Sequence, residues 1–227
     1  MGGHAAAGLR GAESGVGLET ASVDGIDGDL GAGEEVGGVA VLVFGAGDDA
    51  QPLLHLAREL GWFATVADGR SNLVTRERFP LADALQLLSI GDSTTEALPP
   101  AFTNLLTHDA AVIMTHSFQQ DAHILSTLLA LDSPITYIGV LGPQRRTREL
   151  FTESARLLHP TSTSAADTQI DRWLARLHAP MGLDLGAESP ATIALSVISE
   201  IQKNLTASTA LPLREVRARS AALITPG

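Results

Sequence analysis

The segment Val39–Ala50, VAVLVFGAGDDA, joins an apolar run to Gly-x-Gly-x-x-Ala and leads directly into the helical pattern Pro52–Leu60. A buried strand that turns on glycine into a helix N-terminus is an anion-binding device. Gly45 permits the turn and Gly47 lets a ligand approach the main chain, while the freed N–H groups and the helix dipole favour a phosphate. Asp48 brings negative charge towards the place a pyrophosphate would occupy, so it reads as a helix cap or a cation-holding group. Asp68 follows about twenty residues after the turn, where a dinucleotide fold holds a ribose hydroxyl. Arg70, close by, suits a phosphate equally well.

In a doubly wound sheet, ligands bind beyond the carboxyl ends of the strands, near the point where strand order reverses. The residues expected at those ends include Thr115 and His116, Gly142 and Pro143, and the pair Arg145–Arg146, with Arg76 and Arg78 on the loop after Arg70. Up to five arginines on one rim of an acidic chain point to an anionic ligand, because guanidinium forks match phosphate geometry. Arg148 and Arg156, further into their helix, read as solvated charge. His116 is suited to proton transfer or ligand contact near neutral pH, and equally to merely ending a strand. His55 and His123 read as structural. His178 and Asp184 bracket a glycine-containing loop that either closes over a ligand or holds its own backbone. No spacing resembles a zinc site, a P-loop or a nucleophile elbow, and no serine has an evident catalytic partner, so no metal ligand or catalytic residue is assigned.

These groups need a scaffold, and alternating apolar patterns supply one: an α/β, Rossmann-like doubly wound fold with a mostly parallel sheet and helices on both faces. Strands are expected at Ala40–Phe44, Phe63–Ala67, Asp83–Leu88, Ala110–Thr115 and Ile135–Leu141. Helices are expected at Pro52–Leu60, closed by Gly61, and at Ala97–Leu106, Gln119–Leu131 and Gln144–Leu158. After a polar break at Thr161–Asp167, a helix ends near Leu177. Ser189-Pro190 then starts a sharp final helix, Ala191–Leu205, as N-cap and first-turn proline. There is no internal repeat.

Length and composition bound the rest. The 227 residues suffice for one good-sized α/β domain plus extras. The net charge of −11 is concentrated at the start, where residues 1–38 carry seven acidic groups against Arg10 alone. The same 38 residues hold twelve of the 22 glycines and no lasting apolar period, so they read as a flexible leader or the remnant of an upstream domain. The domain proper spans 39–206, and 207–227 forms a loose tail with a helical stretch at Arg214–Ala222. The mild acidity elsewhere disfavours nucleic-acid binding. No run reaches membrane-span length and no signal-peptide layout is present, which makes the cytoplasm the expected location. With no cysteine, disulfides, thiolate metal sites and a persulfide on this chain are impossible.

FGAGDDAQPLLHLARELGW, VADGR, RERFP, AVIMTH, YIGVLGPQRR and RLHAPMGLDLGAESPATIALSVISEI, in that order over residues 39–203, resemble the C-terminal Rossmann-like domain of the xanthine dehydrogenase accessory (XdhC/CoxI) family. The resemblance implies a maturation factor that binds molybdenum cofactor, a phosphorylated pterin dithiolene, shields it during sulfuration and passes it to a molybdenum hydroxylase. Implied partners are the large subunit of a xanthine dehydrogenase-type enzyme and a cysteine desulfurase, and implied assembly is a homo-oligomer. Residues expected at the cofactor are Gly45, Gly47, Asp48, Asp68, Arg70, Arg78, His116, Gly142, Arg145 and Arg146. Three positions depart from the common pattern: Asp48 stands where relatives often have histidine, DGR replaces D-P-R, and Pro143 interrupts an arginine-rich run. Two alternatives stand beside this reading, an NAD(P)-binding oxidoreductase using the same turn and a degenerate structural partner of another protein.

Overall fold

The computed structural model describes residues 38–88, 110–130, 135–158 and 174–216. Residues 1–37 of the leader, the expected helix at 97–106, the polar break at 161–167 and residues 217–227 of the tail lie outside them.

Six strands, β1 Ala40–Phe44, β2 Phe63–Asp68, β3 Ala84–Leu87, β4 Ala110–Ile113, β5 Tyr137–Val140 and β6 Leu177–His178, form one sheet in the order β3-β2-β1-β4-β5-β6. Every pairing is parallel. Parallel strands need crossovers that cover both faces, which is why β1 and β4 are apolar without interruption. Side chains still alternate. Val41 and Val43 of β1, with Ala110 and Val112 of β4, pack into one cluster; Leu42, Phe44, Ala111 and Ile113 pack into the other.

Helices α1 (Ala50–Glu59) and α4 (Pro190–Leu205) cover the first face, burying Leu53, Leu54 and Ala57 against Val197, Ile198 and Ile201. Helices α2 (Phe118–Ala130) and α3 (Gln144–Leu158) cover the second, through Ile124, Leu125, Leu128 and Leu150. The start of α4 is fixed by a capping box: the Thr192 N–H donates to Ser189 Oγ while the Ser189 N–H donates to Thr192 Oγ1, with Pro190 in the first turn. No helix among the described residues is long and apolar enough to cross a membrane.

Two elements differ from the sequence expectation. Leu177, expected to close a helix, opens β6, where it pairs with Ile138 while His178 pairs with Gly139. A two-residue strand leaves no periodic signal, and its pairing with β5 decides its conformation. Of the tail, residues 213–216 form a helical turn, an early part of the stretch expected at 214–222.

Because β1 lies between β2 and β4, chain progression reverses there. The switch point therefore falls between the ends of β1 and β4, with the carboxyl ends of β2 and β5 on either side.

Candidate functional site

The turn after β1 is built tightly. Gly45 has φ 122°, and a Cβ there would stand 2.6 Å from the Met114 carbonyl oxygen, so any side chain is excluded by conformation and by space. A Cβ on Gly47 would meet Asp49 Oδ1 at 2.5 Å and His116 Nε2 at 3.3 Å. His116 is thus an exposed imidazole at the end of β4, beside the turn. The turn's amides do not all face outward. Gly45 N–H donates to the Ala67 carbonyl at 2.8 Å, and Ala46 N–H donates to Asp68 Oδ2 at 2.8 Å.

Asp48 neither caps α1 nor joins a cation-binding cluster. It is 86% exposed and pairs with Arg78 at 2.7 Å, and no group of three histidine or acidic residues converges as metal ligands among the described residues. The N-cap is Asp49, whose side chain makes no capping bond. Asp49 Oδ1 and Arg78 Nε are buried without a hydrogen-bond partner, and the Arg78 NH2 group lies 3.4 Å from the Ala46 carbonyl oxygen. An unsatisfied acceptor and an unsatisfied donor thus lie at one glycine turn.

Asp68, at the end of β2, is 1% exposed and saturated by protein donors. Its Oδ1 accepts from Arg70 N–H and Nε, its Oδ2 from Ala46 N–H and Arg70 NH2, all within 2.7–2.9 Å. Burial raises the carboxyl's pKa, but the Arg70 bonds and the Ala46 amide outweigh it and hold it below the ordinary value. A carboxylate offers about four acceptor sites, and here four donors take them. Asp68 therefore ties the glycine turn to Arg70 and has no oxygen left for a ribose hydroxyl.

A matching clamp stands across the switch point. Asp121, in the first turn of α2, is fully buried. It accepts from Thr115 Oγ1 at 2.5 Å and from the Arg146 NH2 group at 2.5 Å, while Arg146 NH1 donates to the Leu141 carbonyl at 3.3 Å. Burial raises the Asp121 pKa despite these bonds. Gly142 lies beside this arginine, its missing Cβ 3.4 Å from Arg146 Cδ.

The five rim arginines thus divide. Arg70, Arg78 and Arg146 are anchored at the strand ends. Arg76 instead donates to the Ala82 carbonyl within its own loop, and Arg145 is 91% exposed and paired with Glu149 one turn along α3. Four of the five carry a carboxylate partner, so the rim is not the uniformly positive surface that their number suggests. Its guanidiniums are fixed in orientation rather than free. Arg156 pairs with Glu153 as a solvated charge, as expected.

His178 belongs to a second polar cluster. Its ring stacks on Tyr137 with centroids 4.2 Å apart, and its Nδ1 lies 3.2 Å from Glu200 Oε1. Glu200 Oε2 also accepts from Tyr137 OH at 2.8 Å and Gly182 N–H at 2.6 Å. Burial and the adjacent Glu200 charge push the Tyr137 phenol up. Burial opposes ionisation of Glu200, but bonds from His178, Gly182 and Tyr137 bring its pKa below the ordinary value. Ser196, one helical turn before Glu200, donates to the Leu183 carbonyl. Of the two readings of His178, holding the loop after β6 is the one its contacts describe, while Asp184 stands exposed on that loop.

Sequence reasoning missed Asp121 and Glu200. Both carried a signal: each is an acid on the apolar stripe of an amphipathic helix, a place charged residues occupy only with partners.

Residues 41–201 match the family described as the XdhC Rossmann domain. Over 161 residues the chain is 35% identical to a Bacillus subtilis protein named as a probable subunit of xanthine dehydrogenase, covering 71% of this chain and 41% of that one. It is 31% identical to YqeB of Escherichia coli, covering 71% and 26%. A crystal structure described as a xanthine dehydrogenase from Bacillus halodurans superposes with a TM-score of 0.56 at 28% identity, covering 76% of this chain and 44% of that one. The chain spans less than half the length of each of these relatives.

Proposed function

The chain belongs to the XdhC Rossmann-domain family, and from that membership we propose that it is an accessory protein of a xanthine dehydrogenase-type molybdenum hydroxylase, binding molybdenum cofactor as cargo and helping its sulfuration and insertion. The observation that carries this reading is the glycine turn at the switch point, flanked by two arginines locked on buried carboxylates. A guanidinium held in place loses little freedom when its remaining N–H groups meet a phosphate, which offsets part of the charge that its carboxylate partner neutralises.

The residues fit such a cargo. Gly45 and Gly47 add no side chains of their own to the turn, Asp49 and His116 are the groups standing over Gly47, and the orphaned Arg78 Nε is a donor in need of an acceptor. Asp49 Oδ1 would accept from a ring amino or hydroxyl group. His116 sits beside the turn as a contact and needs no catalytic task, since holding and handing over a cofactor requires neither base nor nucleophile. The chain has no cysteine, so sulfur for the cargo would come from a partner such as a cysteine desulfurase. Within this reading the chain works in the cytoplasm as a homo-oligomer.

The NAD(P) alternative uses the same turn and the same strand order, but the filled acceptor sites of Asp68 remove the ribose contact that would favour it. The test is a titration of the purified chain with molybdenum cofactor and, separately, with NAD and NADP. Micromolar binding of the pterin alone supports the proposal. Saturable dinucleotide binding with hydride transfer replaces it by the oxidoreductase reading, and no binding of either ligand leaves a structural partner.

A further inference from the structure

Aromatic side chains among the described residues are withdrawn from solvent, with one exception. Phe44, Trp62, Phe79 and Tyr137 are buried, Phe63 and Phe151 are half-buried, and Phe118 is exposed, at 37%. A phenyl left about a third exposed forfeits part of the burial that its neighbours have, and this one follows the carboxyl end of β4 beside the switch point. It is the first residue of α2, two positions after His116.

Its surroundings are ordered. The Arg146 guanidinium carbon lies 6.0 Å from the Phe118 ring centroid. Arg146 is itself held by Asp121, which lies one turn after Phe118 on the same helix and is fully buried. Asp121 therefore sets the arginine, and the arginine stands over the ring. The rim presents a partly exposed phenyl in contact with a cation that a buried carboxylate holds. A planar heteroaromatic ring carrying an anionic arm is complementary to both: the ring stacks on the phenyl and the arm reaches the guanidinium.

We infer that Phe118 is the stacking platform for the flat ring of the ligand, with Arg146 receiving that ligand's anionic group. This rests on the small-molecule binding reading above and adds a residue and a ring class to it. Phe118 is a contact residue here and takes no part in any bond-making step.

The test measures equilibrium binding of the full chain and of Phe118→Ala and Phe118→Leu to molybdenum cofactor, GMP and ribose 5-phosphate, the last two sharing a phosphate but differing in the flat base. Phe118→Ala is expected to weaken ring-bearing ligands by roughly ten- to a hundredfold, the usual size of a lost base–aromatic stack. Binding of ribose 5-phosphate should not change, Phe118→Leu should recover only part of the loss, and melting temperature should fall by a few degrees at most, with the fold kept, because the residue lies at a helix start and is only partly buried. Molybdenum cofactor that binds all three proteins equally would overturn the platform and leave the accessory role standing. Phe118-dependent binding of GMP with no binding of molybdenum cofactor would keep the platform and remove the proposed cargo. Failure of every ring-bearing ligand to bind the unaltered chain overturns both.

Discussion

Replacing Asp68 with asparagine removes one charge and one acceptor without changing shape. The carboxylate now takes four donors: Ala46 N–H, Arg70 N–H, and the Nε and NH2 groups of Arg70. An asparagine oxygen accepts two of them, and its own NH2 group then points at the other two. Breaking a buried ion pair from one side costs about 3–5 kcal/mol. Arg70 is 43% exposed and rehydrates when released, so the lower end applies, about 3 kcal/mol. At about 2–4 °C per kcal/mol for a domain of this size, the melting temperature should fall by about 6–12 °C. Urea denaturation and thermal melts at neutral pH measure this directly. A pH series then separates charge from packing. The folded Asp68 pKa lies below its ordinary value of 3.8, so its stabilisation is complete above that value and is lost as pH falls through the folded one. The gap between Asp68→Asn and the unaltered chain should stay constant from about pH 5 to 8 and close below about pH 4. A gap under about 0.5 kcal/mol at pH 7, or one that persists unchanged in acid, would refute the clamp.

Two further predictions follow from the contrasting partners of neighbouring residues. Arg146→Lys keeps the charge but cannot hold both Asp121 and the Leu141 carbonyl, so anion affinity should drop about tenfold, whereas Arg145→Lys on the solvated side of α3 should leave it unchanged; equal effects in paired titrations would remove the oriented arginine from the mechanism. Glu200→Gln weakens the acceptor shared by Tyr137, Gly182 and His178 and should cost about 2 kcal/mol, with faster proteolysis within 179–188. Because the Glu200 pKa is lowered from 4.5, its contribution is present above that value and lost on acidification, so the variant's denaturation curve should lose part of the acid-side slope; an unchanged slope would show that Glu200 does not hold the loop.

Much of the architecture is legible in the sequence. Strand boundaries for β1 and the starts of β4 and α3 coincide with the apolar and amphipathic patterns, because a strand buried on both faces must be apolar throughout and a surface helix must carry a stripe. Gly45 is legible for a similar reason, since a glycine corner between strand and helix has one inexpensive conformational solution. The long-range partners of Arg146 and Arg78 are not legible. Asp121 and Arg146 are twenty-five residues apart, and Arg78 and Asp48 thirty, separations at which local pattern carries no information about contact.

Residue types and their order thus determined that this chain would place glycines, arginines and a histidine at the carboxyl ends of a parallel sheet, because hydrophobic periodicity and turn chemistry act locally. Tertiary structure alone decided which charges are available there. It bonded the Ala46 amide to Asp68, locked Arg146 on a buried acid and left one phenyl partly uncovered beside it. Those outcomes depend on which side chains meet across the sheet, and the long-range packing of helices on its two faces sets that.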